Sequence, residues 1–287
     1  MNWLLHPWSF WVAPMIDNMF MRDAALAATL AVVCTSTIGT WVLLRGLTFL
    51  GDALAHGVLP GIAIAWAFGA NTSLGAIIAA LVMVGGISTI RSNSPLPDDA
   101  SIGILFVGFL ALAVVVMSSS QGAGDLSRFL FGSISAVDGS DIARLGVIAV
   151  VAVTSIVFLH RALLMGTFDP LQSKMAGFRP QLVHGALLAL IALVIVASFE
   201  TVGSLLVFAF LVAPPATASL IARRVSKIVL LAVGIGVMCS YVGLIISYHQ
   251  RTAAGATMAL INVTVFFLAL IIRRVHQALS RSGHAVG

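Results

Sequence analysis

Apolar runs separated by short polar interruptions divide the chain into nine stretches, near 23–44, 51–68, 73–90, 102–117, 142–160, 181–197, 203–221, 226–247 and 255–272. Each approaches the roughly 20 helical residues that cross a bilayer. The pattern predicts an all-α, polytopic helical membrane protein with nine transmembrane helices, or eight if two stretches merge. The stretch 51–68 is interrupted by Gly57, Pro60 and Gly61, which predicts an irregular helix lining a protein interior rather than a lipid-facing rod. Before the first span, residues 1–22 hold Trp3, Trp8 and Trp11 with two prolines and no basic leader, and read as an interfacial segment. The transmembrane domain is then 23–272, followed by a basic tail at 273–287.

Composition agrees with this pattern. Of 287 residues, 60% are hydrophobic and only 9% charged, with a mean hydropathy of +1.10, which excludes an ordinary soluble domain, a disordered chain or a small secreted scaffold. The net charge of +5 would hint at nucleic acid in a soluble protein, but here topology explains it. Arg161, Lys174 and Arg179 flank one connection, Arg223, Arg224 and Lys227 another, and Arg273, Arg274 and Arg281 the tail. These clusters are separated by even numbers of spans, which places all three, and the C-terminus, in the cytoplasm. Nine spans then put the N-terminus and residues 118–141 outside. Cys34 and Cys239 sit in apolar runs with no C-x-x-C spacing, so both read as packing residues.

Two connecting segments carry helix signals. Residues 125–138, on the outer side, alternate apolar and polar positions as a short surface helix would. Residues 168–179, on the inner side, hold Asp169 before Pro170 and Gly177 before Pro180, a start and a stop for one short helix that suits a docking element. A solvated loop with a single helical turn reads these residues equally well.

Ionisable side chains at bilayer depth are costly, and each is a candidate for function. Asp52 and His56 open the small-residue stretch Gly51-Asp-Ala-Leu-Ala-His-Gly-Val-Leu-Pro-Gly61, and their i, i+4 spacing places both on one helix face. Carboxylate oxygen with imidazole nitrogen suits Zn²⁺ or Mn²⁺, and two copies about a two-fold axis would double the pair into a four-donor site. The other reading has the two side chains simply bonding each other. Glu200, at the outer end of two spans, reads either as an attractor of cations or as a solvated loop carboxylate. The remaining histidines stand singly at span ends or in tails. No G-x-x-x-x-G-K-[ST], H-E-x-x-H or G-x-S-x-G occurs, so ATP bound through a P-loop, zinc proteolysis and serine hydrolysis are not written in this chain. Any ATP hydrolysis then belongs to a separate partner subunit.

The run Gly51-Asp-Ala-Leu-Ala-His-Gly-Val-Leu-Pro-Gly-Ile-Ala63 resembles the signature of the permease subunits of bacterial metal-ion ABC importers, the zinc, manganese and iron family called ABC-3. Ser101-Ile-Gly-Ile-Leu-Phe106, the segment 130–137, Phe168-Asp-Pro170, Val202-Gly-Ser-Leu-Leu-Val207, Ala213-Pro-Pro-Ala-Thr-Ala218 and Ile246-Ser-Tyr248 follow in the family's order, so the resemblance covers about residues 20–272. It implies a fold similar to the vitamin B12 and siderophore importers. It also implies one half of a homodimeric pore in the bacterial inner membrane, working by alternating access with a cytoplasmic ATPase dimer and an extracytoplasmic metal-binding protein. No cofactor is implied as permanently bound; the cargo would be Zn²⁺ or Mn²⁺, with Fe²⁺ also compatible. Asp52 and His56 match the family's cation positions. Residues 168–179 match its coupling helix, with Asp169, Pro170 and Gly177 as contact candidates and Leu171-Gln-Ser-Lys174 departing from the usual acid and alanines. Pro214 and Pro215 stand where the family usually has Pro-Ala, and with Glu200 they are pathway or gate candidates; the extra proline is expected to stiffen or break the helix. Two alternatives remain: an importer of metal chelates or siderophores, and an ATP-independent secondary metal transporter.

Overall fold

The computed structural model describes residues 7–95, 97–119 and 137–282, and every regular element among them is an α-helix. Two short helices, α1 (Pro7–Trp11) and α2 (Ala13–Asp17), lead into α3 (Met19–Leu44), α4 (Thr48–Gly57), α5 (Leu59–Ala67), α6 (Thr72–Asn93) and α7 (Asp98–Ser119). After the undescribed stretch come α8 (Gly139–Phe168), the six-residue α9 (Pro170–Met175), α10 (Pro180–Val202), α11 (Ser204–Ile221), α12 (Val225–Gln250) and α13 (Ala254–Ser282). With α4 and α5 counted as one interrupted span, nine segments of the described residues are long and apolar enough to cross a membrane, in the predicted places.

Helix ends run past the predicted spans. α3 begins at Met19 rather than 23, α8 extends from Gly139 to Phe168 rather than 142–160, and α13 continues through the basic stretch to Ser282. The physical reason is that a helix satisfies its own backbone in water as well as in lipid, so it stops at a cap and not where hydropathy falls. For α8 the cap is Asp138, whose carboxylate accepts from the Ser140 and Asp141 amides at 2.9 and 3.0 Å while Asp141 answers as a capping box. The predicted outer helix at 125–138 lies outside the described residues except for its last two positions.

α3 and α11 form the centre. On α3, Ala31, Val32, Cys34, Ile38 and Trp41 are all sealed from solvent, with α8, α10, α11 and α12 packed round them. By contrast α7 and α13 bury only a narrow stripe and present Val107, Val115, Leu260 and Ile271 outward, as lipid-facing helices do. Both cysteines are buried and free.

The helix α11 carries Pro214 and Pro215 without interruption, so of the two expected effects, stiffening or breaking, the break does not occur. A proline lacks an N–H, so the carbonyls four residues earlier, of Phe210 and Leu211, lose their helical donors. Both are met by α3. Ser36 Oγ donates to the Phe210 carbonyl at 3.1 Å, and Gly39 lies so close to the Leu211 carbonyl oxygen that a Cβ there would collide with it. Ser36 on α3 thus replaces the bond missing at Phe210, while Gly39 lets α3 pack directly against the Leu211 carbonyl, and the helix continues. A second close crossing joins α5 to α6, where a Cβ on Gly61 would strike the Gly75 carbonyl oxygen and one on Gly75 would strike that of Gly61.

Candidate functional site

The helix α4 owes its position to what surrounds it. Its start follows α3 after a three-residue turn, and its end is fixed by Pro60, which cannot donate to the His56 carbonyl; the helix is interrupted at Val58 before resuming as α5. Gly51 faces the Leu211 side chain of α11, and Gly57 faces the sulfur of Met83 on α6. These contacts bury one side of α4 and leave Asp52 and His56 on the side toward α7.

There, His56 Nε2 stands 3.6 Å from Asp52 Oδ1, with the side chains 25% and 31% exposed respectively. That separation exceeds hydrogen-bond range, so the pair is an electrostatic neighbourhood rather than a closed bond. Neither side chain is therefore closed off by the other. Phe106 on α7 flanks the imidazole at a ring-centroid distance of 6.0 Å and meets Phe49 edge-on at 6.1 Å, giving the donors an apolar wall. Among the described residues no cluster of three or more His, Cys, Asp or Glu side chains exists, so one chain offers two donors here and no more.

At the other candidate segment, α9 forms as the Pro and Gly signals predict. Asp169 caps it, its Oδ1 accepting from the Gln172 amide at 2.9 Å, and Pro170 fills the first turn, where a missing N–H costs nothing. Gly177 ends it at φ +81°, with its amide bonded to the Lys174 carbonyl and the Phe178 amide to that of Ser173, both at 3.1 Å. This is a Schellman stop, and it leaves Leu171, Lys174 and Met175 exposed.

The other sequence candidates lie on other helices than Asp52 and His56. Pro214 and Pro215 are buried in the α3–α11–α12 core. Glu200 sits in the last turn of α10, three residues before Gly203, which alone joins α10 to α11; its side chain lies outside the described set. At the far end of α12, His249 stacks on Phe10 at 4.0 Å and Tyr241 donates to the Trp11 carbonyl at 2.6 Å, so the leading segment is docked on the bundle. Sequence reasoning missed Phe106 and Ser36, because both act on partners far along the chain.

Comparison with known proteins places this arrangement. The model of the ABC 3 transport family matches residues 17–273. The manganese transport system membrane protein MntC of Listeria monocytogenes is 33% identical over 257 residues, covering 90% of this chain and 92% of that protein. A Haemophilus influenzae protein named "Probable iron transport system membrane protein" is 31% identical over 274 residues, 96% of this chain and 98% of its own length. Among solved structures, PsaBC from Streptococcus pneumoniae in complex with Fab matches with a TM-score of 0.81 at 30% identity, covering 90% of this chain and 94% of that one. A polytopic helical chain that matches this family from residue 17 to residue 273, broken α4–α5 helix included, is a membrane permease subunit of the ABC 3 transport family.

Proposed function

We propose that this chain is the permease subunit of an ATP-driven importer of a divalent transition-metal ion, with Mn²⁺ as the leading cargo and Zn²⁺ and Fe²⁺ as its rivals. The observation that carries the reading is the Asp52–His56 pair, two unsealed donors on one face of α4 beside an apolar wall. A hydrated cation crosses an apolar core only if protein ligands replace water. Two donors bind too weakly, whereas two copies of the chain about a two-fold axis supply two carboxylates and two imidazoles, an N/O set that suits these metals and releases them readily. Manganese leads because the Listeria relative is named for it, and iron stays in the test because the Haemophilus relative is named for that metal.

In this reading α9 docks on a cytoplasmic ATPase dimer through its exposed face, the opposite end receives a metal-binding protein, and the pair of chains alternates its access across the inner membrane. Glu200, close to the outer end, serves as the entry carboxylate, and Pro214 and Pro215 hold α11 rigid behind α4.

The test is metal flux into proteoliposomes holding this chain, its ATPase and its binding protein, with Mn²⁺, Zn²⁺ and Fe²⁺ compared. ATP-dependent flux of a free cation, lost in both Asp52→Asn and His56→Ala with the complex still assembled, is the expected result. Flux that survives both substitutions refutes the site. Flux driven by an ion gradient without the ATPase refutes the ABC assignment of energy source.

A further inference from the structure

Asp52 and His56 lie only a few residues beyond the end of α3, and that end is tied to the segment that leads into α9. Arg45, which caps α3 just after Leu44 and opens the turn, is half-buried and donates from Nε to Thr167 Oγ1 at 3.0 Å. Thr167 is the second-last residue of α8, two positions before the Asp169 cap of α9. Its hydroxyl proton is already committed, donated to the Leu163 carbonyl at 2.6 Å, so the oxygen meets Arg45 as an acceptor and cannot rotate away without losing its own bond. Gly166 makes room for the guanidinium, which would stand 3.3 Å from a Cβ there.

Both sides of this contact are stiff. The turn after Arg45 is a Schellman stop, with the Gly46 amide bonded to the Leu43 carbonyl at 3.1 Å and the Leu47 amide to that of Val42 at 2.9 Å; α4 starts at the next residue. On the other side the Asp169 amide bonds the Met165 carbonyl at 2.8 Å, which carries α8 directly into α9. One helical turn deeper, Trp41 of α3 meets His160 of α8 edge-on at 5.5 Å. A displacement of α9 therefore reaches the root of α4 through hydrogen-bonded backbone and one side-chain bond, with no slack loop between.

We propose that Arg45 and Thr167 are positioning residues that transmit the movement of α9 to the helix carrying Asp52 and His56. The inference rests on the reading of α9 as the ATPase-docking segment and of Asp52 and His56 as the cation site. It predicts that weakening the bond leaves cation binding and ATP turnover in place but separates them, so that more ATP is spent for each ion moved.

The test uses the reconstituted complex of permease, ATPase and binding protein, with Mn²⁺ uptake and ATP hydrolysis measured together. Thr167→Val keeps the shape and removes the acceptor; Thr167→Ser keeps the acceptor; Arg45→Gln removes the charge and changes the donor. The expected result is a rise of about tenfold in ATP hydrolysed per Mn²⁺ transported for Thr167→Val and Arg45→Gln, toward the lower end of ordinary coupling free energies, with Mn²⁺ affinity unchanged and Thr167→Ser at the wild-type ratio. A wild-type ratio in Thr167→Val and Arg45→Gln overturns the proposal. So does a Thr167→Val complex that fails to assemble while Thr167→Ser assembles, since the bond is then structural. Failure of the wild-type complex to move Mn²⁺, Zn²⁺ or Fe²⁺ would instead refute the function on which the proposal stands.

Discussion

Replacing Ser36 by alanine removes the hydroxyl that meets the Phe210 carbonyl, which Pro214 deprives of its helical donor. Ser36 is fully buried, so no water takes over and the acceptor is left bare. An unsatisfied buried polar group costs ~1–3 kcal/mol, and the middle of that range, about 2 kcal/mol, is the expected loss. For a chain of this size that corresponds to a fall of about 4 °C in Tm. Thermal unfolding of the detergent-purified protein, followed by intrinsic tryptophan fluorescence, measures it. The decisive comparison adds Pro214→Ala. Alanine at that position restores an N–H four residues after Phe210, so the carbonyl no longer needs Ser36. In that background Ser36→Ala should cost only about 0.5 kcal/mol, and the difference of roughly 1.5 kcal/mol is the coupling between the two sites. An equal cost in both backgrounds would refute the claim that α3 supplies the bond missing from α11.

Two further outcomes follow from the packing and the caps. Gly61→Ala and Gly75→Ala each place a methyl group against a facing carbonyl oxygen, so either should destabilise by ~1–3 kcal/mol and lower Tm, while Gly85→Ala, which meets nothing, should not; equal melting of all three variants would contradict the crossing. The Ser140 hydroxyl and the Asp141 amide hold the Asp138 carboxyl below its ordinary value of 3.8. A carboxyl depressed in the folded state contributes stability that is fully present above its unfolded pKa and is lost as pH falls through the folded value. The stability difference between wild type and Asp138→Ala should therefore be constant from pH 7 to pH 5 and shrink below about pH 4; a difference that persists undiminished at pH 2 would show the cap acts without its charge.

The nine spans were legible because lipid leaves a crossing segment few options: its backbone must bond within itself, so apolar length and helix coincide. Their ends were not, because Asp138 and the basic stretch after Ile272 continue helices into water on local bonds that hydropathy ignores. The short helix α9 was readable from Asp169-Pro170 and Gly177 since proline and glycine act on their own turn. For the proline pair in α11 the sequence left stiffening and breaking open, and the choice between them was not local. Proline's local effect is to break a helix, and what overrides it, Ser36, lies 174 residues from the carbonyl it meets. Likewise the i, i+4 spacing of Asp52 and His56 was visible, whereas Phe106 beside them is a contact across helices that no local pattern encodes.

The hydrogen bonds of the buried hydroxyls separate structure from function in the spans. Thr35, Thr40, Thr217 and Ser240 each donate to the carbonyl four residues earlier in their own helix, at 2.6, 3.0, 2.8 and 2.7 Å. A hydroxyl used this way costs the membrane protein little and needs no partner. Ser36 departs from the habit, and its departure has a structural cause in Pro214. Asp52 and His56 depart further, for among the described residues neither makes a hydrogen bond to backbone or side chain, and their mutual distance is too long for one. A carboxylate and an imidazole in a transmembrane helix cost several kcal/mol unless paired or hydrated, and here each keeps a quarter or more of its side chain exposed with the other 3.6 Å away. In the proposed function the pair is completed by what the chain meets after folding, a divalent cation shared with a second copy.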